Sequence, residues 1–294
     1  MTTLRSTSGE SRRLAIGLLA LLATATTVFA TEPPTVFVSI PPQKFIVEHI
    51  AGDGVAVQVM LPPGASPATY EPTPRQMAAL NRAVLYFQIG APFEGPVVAR
   101  ISTLMPDLEI VDCRTGIILE AMDHAAHGHG TDHPDPHIWL DPNRMQIVAR
   151  TMAAALHRAM PENATTIEEN LNQLLTAIDS VDQRISSALA PFAGRDVLVF
   201  HPAYGYFTRR YNLVQIAVES EGKAPSARQL AKIVDGLGDQ ETAAIFVQPQ
   251  FSQTTAQRLA DALGCRLVEL DPLAEDYLRN LEEMARRIAN VLGG

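Results

Sequence analysis

Residues Pro161 to Leu189 read PENATTIEENLNQLLTAIDSVDQRISSAL. Apolar side chains fall at Ile167, Leu171, Leu174, Leu175, Ile178, Val181, Ile185 and Leu189. That is the three-and-four spacing of one helix face. Pro161 opens the stretch and Pro191 ends it. At ~1.5 Å per residue such a helix reaches about 40 Å, the length of two small domains side by side. It reads as a stiff linker between two domains; an ordinary helix packed within one domain is the alternative.

The segments on either side share one grammar. Before the linker, short apolar strands at Val36–Ile40, Val55–Leu61, Val84–Ile89 and Leu108–Val111 alternate with helices at Gln43–Ile50 and Pro74–Arg82. A further helix, Asn143–Met160, leads into the linker. After it, strands at Val197–Phe200, Leu213–Val218, Ala244–Val247 and Leu267–Leu270 alternate with helices at Arg228–Leu237 and Thr254–Leu263, and Ala274–Leu292 closes the chain. This alternation predicts an α/β protein with one parallel sheet in each half. The expected division is a signal peptide at 1–30, a βα domain at 31–160, the linker helix at 161–190 and a second βα domain at 191–294.

Between the first half and the linker, Asp123 to His137 reads DHAAHGHGTDHPDPH and holds five of the eight histidines. Neutral imidazole and carboxylate are ligands that suit zinc, manganese and iron. A solvated, Gly- and Pro-punctuated surface loop is the bland alternative. In open parallel sheets, ligands bind beyond the carboxyl ends of the strands. His201 directly follows the strand ending at Phe200, Asp271 follows the one ending at Leu270, and His137 precedes the helix that leaves the first domain. A cleft between the domains would gather His137, His201 and Asp271 into one site.

The formal net charge is −9. Residues 1–30 carry Arg5, Arg12, Arg13 and Glu10, a net of +2, so the remainder carries −9 − 2 = −11. An acidic surface repels nucleic acid and anionic lipid, and neither is expected as a partner. Arg12 and Arg13, the apolar run Leu14–Leu22 and the small residues ending at Ala30 have the three parts of a secretory signal. Cleavage near Ala30 is expected, giving a periplasmic protein, with an uncleaved anchor as the alternative. The two cysteines, Cys113 and Cys265, end strand-like runs in different halves and are expected to be unpaired and buried.

Four segments together are similar to the zinc/manganese solute-binding proteins of metal ABC transporters. They are Pro63-Gly64-Ala65-Ser66-Pro67, Asp135-Pro136-His137-Ile138-Trp139-Leu140-Asp141-Pro142, Phe200-His201-Pro202-Ala203-Tyr204 and Leu270-Asp271-Pro272-Leu273. The resemblance covers essentially all of the chain after residue 30. It implies two sheet-and-helix domains joined by a rigid helix, with the ion in the cleft between them. It also implies delivery of Zn2+, or alternatively Mn2+, to a membrane permease, and a monomer. His137, His201 and Asp271 match three of the four ligands of that family. The fourth is usually a histidine, and here the position is Ala68. A water, a loop histidine, Glu71 or Glu219 could complete the set. A metal buffer acting without a permease, and a metal-dependent hydrolase, are the competing functions.

Overall fold

The computed structural model of the chain describes residues 2–3, 32–122, 134–219 and 243–294. The expected signal peptide beyond residues 2–3, residues 123–133 of the histidine loop and the expected helix Arg228–Leu237 lie outside the described residues.

Among the described residues, eight strands form two sheets. β1 (Thr35–Val38), β2 (Ala56–Val59), β3 (Ala83–Gln88) and β4 (Glu109–Asp112) make the first, in the order β2-β1-β3-β4. β5 (Asp196–Val199), β6 (Val214–Ala217), β7 (Ala244–Val247) and β8 (Arg266–Glu269) make the second, in the order β6-β5-β7-β8. All pairings are parallel, as the strand–helix alternation predicts. The two orders are the same order. In each sheet the winding reverses beside the first strand, between β1 and β3 and between β5 and β7, which makes these the places where a crevice opens at the strand ends.

Helices cover the sheets. α1 (Pro41–Ala51), α2 (Pro74–Ala79), α3 (Glu94–Leu104) and α4 (Pro142–Ala159) belong to the first half. α6 (Gly205–Arg210), α7 (Gln253–Leu263) and α8 (Tyr277–Leu292) belong to the second. The linker α5 runs from Ala164 to Leu189, 26 residues. All eight apolar positions of its sequence stripe are buried. It packs on α1 and α4 on one side of the molecule and on α8 on the other. One continuous apolar core therefore runs from Val36 and Phe87 through Leu171 and Ile178 to Val199 and Ile288. A smaller cluster, with Ile245, Val247, Leu198 and Ala260, lies where α7 covers the second sheet.

Three details differ from the sequence expectation. α3 was not foreseen, because Gly95 and Pro96 sit in its first turn and read as breakers. α6 is only six residues long, too short to show a period. Cys113 and Cys265 are both free, but only Cys113 is buried; Cys265 is half-buried and precedes β8 rather than ending a strand.

Candidate metal centre

His201 leaves the second sheet at its switch point. β5 ends at Val199, and the Phe200 N–H still donates to the Phe246 carbonyl at 2.7 Å. His201 is the next residue and turns into the space between the halves. Its Nδ1 lies 2.7 Å from Oε2 of Glu219, a residue 1% exposed just beyond β6. A carboxylate only accepts hydrogen bonds. In the neutral ring this contact puts the proton on Nδ1 and leaves the Nε2 lone pair for a metal, the arrangement found behind ligating histidines.

His137 is held the same way from the first half. Oδ1 of Asp135 accepts from the His137 backbone N–H at 2.9 Å and from Nδ1 at 2.7 Å. Asp135 is fully buried. The chain then makes the 3-10 turn Ile138–Leu140, and Asp141 caps α4 by accepting from Asn143 N–H at 2.9 Å. Trp139 is clasped by the other half: its Nε1 donates to the Pro272 carbonyl at 2.7 Å, and Tyr277 Oη donates to the Trp139 carbonyl at 2.9 Å. Tyr206 Oη donates to the Asp135 carbonyl at 3.1 Å. The loop carrying His137 is thus fixed by side chains from beyond the linker.

Asp271 follows β8 and Leu270. Its Oδ1 accepts from Leu273 N–H at 2.9 Å and from Gln250 Nε2 at 2.8 Å, and its backbone carbonyl accepts from Asn280 Nδ2 at 2.7 Å. Oδ2 has no protein partner among the described residues. The neighbouring Tyr204 donates to the Leu270 carbonyl at 2.7 Å. Burial, then the charges of Asp271 and Glu269, hold that phenol well above its usual pKa, so it stays a donor.

The structure brings the two histidines together: their ring centroids lie 5.5 Å apart at 75°. Both line a cavity of about 80 Å³, walled by Ser66, Pro67 and Ala68 from one half and by Gln248, Gln250 and Phe251 from the other. That is room for an ion and a few waters. Asp271 stands one layer back, behind Gln250. Among the described residues no three His, Cys, Asp or Glu side chains form a group able to hold an ion as they stand. Of the residues considered for the fourth position, Glu71 is exposed and outside the cavity wall, and Glu219 is engaged with His201. Sequence reading missed Asp135, Gln248 and Gln250. Asp135 had a signal, a carboxylate two residues before a histidine; the glutamines had none.

The chain can now be set beside known proteins. Over residues 36–291 it matches the family described as ZnuA, zinc-uptake complex component A, periplasmic. It is 29% identical over 317 residues to the high-affinity zinc uptake system protein ZnuA of Paracoccus denitrificans (strain Pd 1222), covering 94% of this chain and 97% of that one. It is 28% identical over 260 residues to a putative metal-binding protein of Chlamydia trachomatis, covering 87% and 91%. A solved ZnuA deletion mutant with zinc bound superposes with a TM-score of 0.82 at 37% identity, over 88% of this chain and 98% of that one. The two like-ordered parallel sheets and the long helix match the two-domain fold of that solved structure, and the chain belongs to the ZnuA family of periplasmic zinc-uptake components.

Proposed function

We propose that this protein is the periplasmic receptor of a metal ABC transporter. It takes up zinc, with manganese as the next candidate, and passes the ion to a membrane permease. His137 and His201 coordinate through Nε2, and Asp271 through Oδ2. The observation that carries this reading is the matched pair of histidines on one cavity, each with Nδ1 bound at 2.7 Å to a buried carboxylate from its own half. Two rings prepared alike, from opposite sides of a small space, suit one cation between them. The zinc-bound ZnuA structure supports zinc as that cation. Loading needs Asp271, which does not line the cavity, to join the histidines.

The receptor reading is favoured over hydrolysis. Among the described residues lining the cavity there is no carboxylate. Asp135 and Glu219 each hold a histidine. Of the described residues lining the cavity, none is thus a carboxylate ready to take a proton from an attacking water. We further take residues 1–30 as a signal peptide cleaved near Ala30, residues 31–160 and 191–294 as the two domains, and the working form as a monomer.

Calorimetric titration with zinc tests the site. The His201→Ala protein should lose tight binding; unchanged affinity would overturn the assignment. Copurification with a permease separates a transport receptor from a metal buffer, and ester or peptide turnover would revive the hydrolase reading.

A further inference from the structure

Two polar atoms of residues in the cavity wall are buried without a partner among the described residues: Gln248 Oε1 and Gln250 Oε1. Gln248 is 1% exposed. A buried carbonyl oxygen with no donor costs free energy, and such an exception in a binding site needs a reason. The orientation of Gln250 is not arbitrary. Its amide meets the Asp271 carboxylate, which only accepts, so Nε2 must face Asp271 and Oε1 must face away from it. Both residues follow β7 directly, in a turn closed by the Phe251 N–H donating to the Gln248 carbonyl at 3.1 Å. They therefore stand at the β5–β7 switch point beside His201, across the cavity from Ala68.

Resting on the ligand set given above, we infer that Gln248 and Gln250 hold a water molecule on the bound ion. Two imidazoles and one carboxylate leave a tetrahedral ion one ligand short, and Ala68 has no atom to offer. A water on the ion has two hydrogens, and two residues of the wall carry buried acceptors with no partner among the described residues. Neutral amide oxygen is a poor direct ligand for zinc beside imidazole and carboxylate, but it is a good acceptor for a water polarised by the ion. Gln250 would then tie the shell together: Nε2 orients Asp271 and Oε1 orients the water.

The test uses the full-length mature protein and the metals themselves. Zinc affinity is measured by competition with a chromophoric chelator. Water on the ion is detected in the manganese-loaded protein by electron–nuclear double resonance in H2O and D2O. The wild type should show exchangeable water protons on the ion. The Gln248→Met/Gln250→Met protein, matched in side-chain volume, should bind zinc about 10- to 100-fold more weakly, the usual loss on removing an outer-shell partner. On the Ala68→His background the imidazole displaces the water. The exchangeable protons should disappear there, and the double methionine change should cost much less affinity. If the cost is the same on both backgrounds, the glutamines are structural and the inference falls. It also falls if the wild-type ion carries no exchangeable water while His201→Ala still abolishes binding; the receptor reading then stands. If the wild type does not bind zinc at all, the receptor reading itself fails.

Discussion

At the carboxyl ends of β1 and β3, the first sheet closes its own crevice. Glu94, 3% exposed, turns back from the first turn of α3 and accepts from the N–H groups of Ile89 at 2.8 Å and Gly90 at 2.6 Å. Gly90 holds φ +89°, where a side chain would be strained, so its amide can reach that carboxylate. Ser39 Oγ and Tyr86 Oη lie 2.7 Å apart beside it, and Gln43 Oε1 accepts from Ser39 N–H at 3.0 Å. At the matching ends of β5 and β7, the second sheet does the reverse. His201, Gln248 and Gln250 line a cavity shared with the other half, and the carboxylate there, Glu219, sits behind the histidine instead of capping the strand ends. Strand order creates two equivalent crevices; side chains decide that one is a core and the other a site. In the first, every polar atom named is paired within the protein. In the second, two oxygens are not.

The sharpest way to break this contrast is to exchange the effects of mutation. His201→Ala should weaken zinc binding by about a hundredfold or more, because a binding free energy on the order of 10 kcal/mol is shared among few ligands. Its metal-free stability should fall less than that of Glu94→Ala, since one hydrogen bond is lost, that with Glu219. Glu94→Ala should do the opposite. It strands the buried N–H of Ile89 and the part-buried N–H of Gly90, and a buried group left unsatisfied costs about 1–3 kcal/mol. Metal-free stability should therefore drop by about 2–5 kcal/mol in urea titration, while zinc affinity stays within about twofold, as expected of well-separated sites. A stability loss in the first variant as large as that in the second, or an affinity loss in the second, would merge the two crevices into one coupled unit.

Acid should also push the two regions in opposite directions. Ligating imidazole must be neutral, so zinc binding weakens as pH falls. Burial raises the pKa of Glu94, against hydrogen bonds from Ser39, Ile89 and Gly90 and the charge of Arg114. A carboxyl whose folded pKa is raised contributes stability that is fully present below its unfolded pKa and is lost as pH rises through the raised one. In metal-free protein, the stability of wild type relative to Glu94→Gln should therefore grow as pH is lowered from about 8 to about 5. Thermal melts across that range read the difference directly.

The eight strands and the linker were legible because each is a short apolar run or a long stripe with a period, and in the linker all eight stripe positions are buried. His137, His201 and Asp271 were legible because each stands next to a strand end or a helix start. What the sequence could not show was partnership. Glu219 looked like a spare ligand, yet it lies against the far nitrogen of His201. Asp271 looked as exposed to the ion as the histidines, yet Gln250 stands between. Glutamine carries no ligand signature, so Gln248 and Gln250 became visible only when folding buried their oxygens without donors.

Two smaller effects refine the comparison. Trp139→Phe removes one hydrogen bond from the second half's clasp on the His137 loop, the 2.7 Å contact with Pro272. It should cost about 1 kcal/mol of stability, with a smaller loss of zinc affinity than either histidine variant. Deleting residues 123–133 should leave the tightest zinc site within about twofold of wild type, since both paired histidines lie outside that segment. Competition titration counts the sites and separates the tight one from weaker ones that the four loop histidines provide.

The most direct measurement is a crystal structure of the zinc-loaded protein with anomalous scattering recorded on either side of the zinc edge. The account predicts one strong peak in the cavity, within about 2.0–2.2 Å of His137 Nε2, His201 Nε2 and Asp271 Oδ2. Density for a water between the ion and the oxygens of Gln248 and Gln250 should accompany it. A peak coordinated without His201, or one lying in the Glu94 crevice of the first sheet, would contradict it.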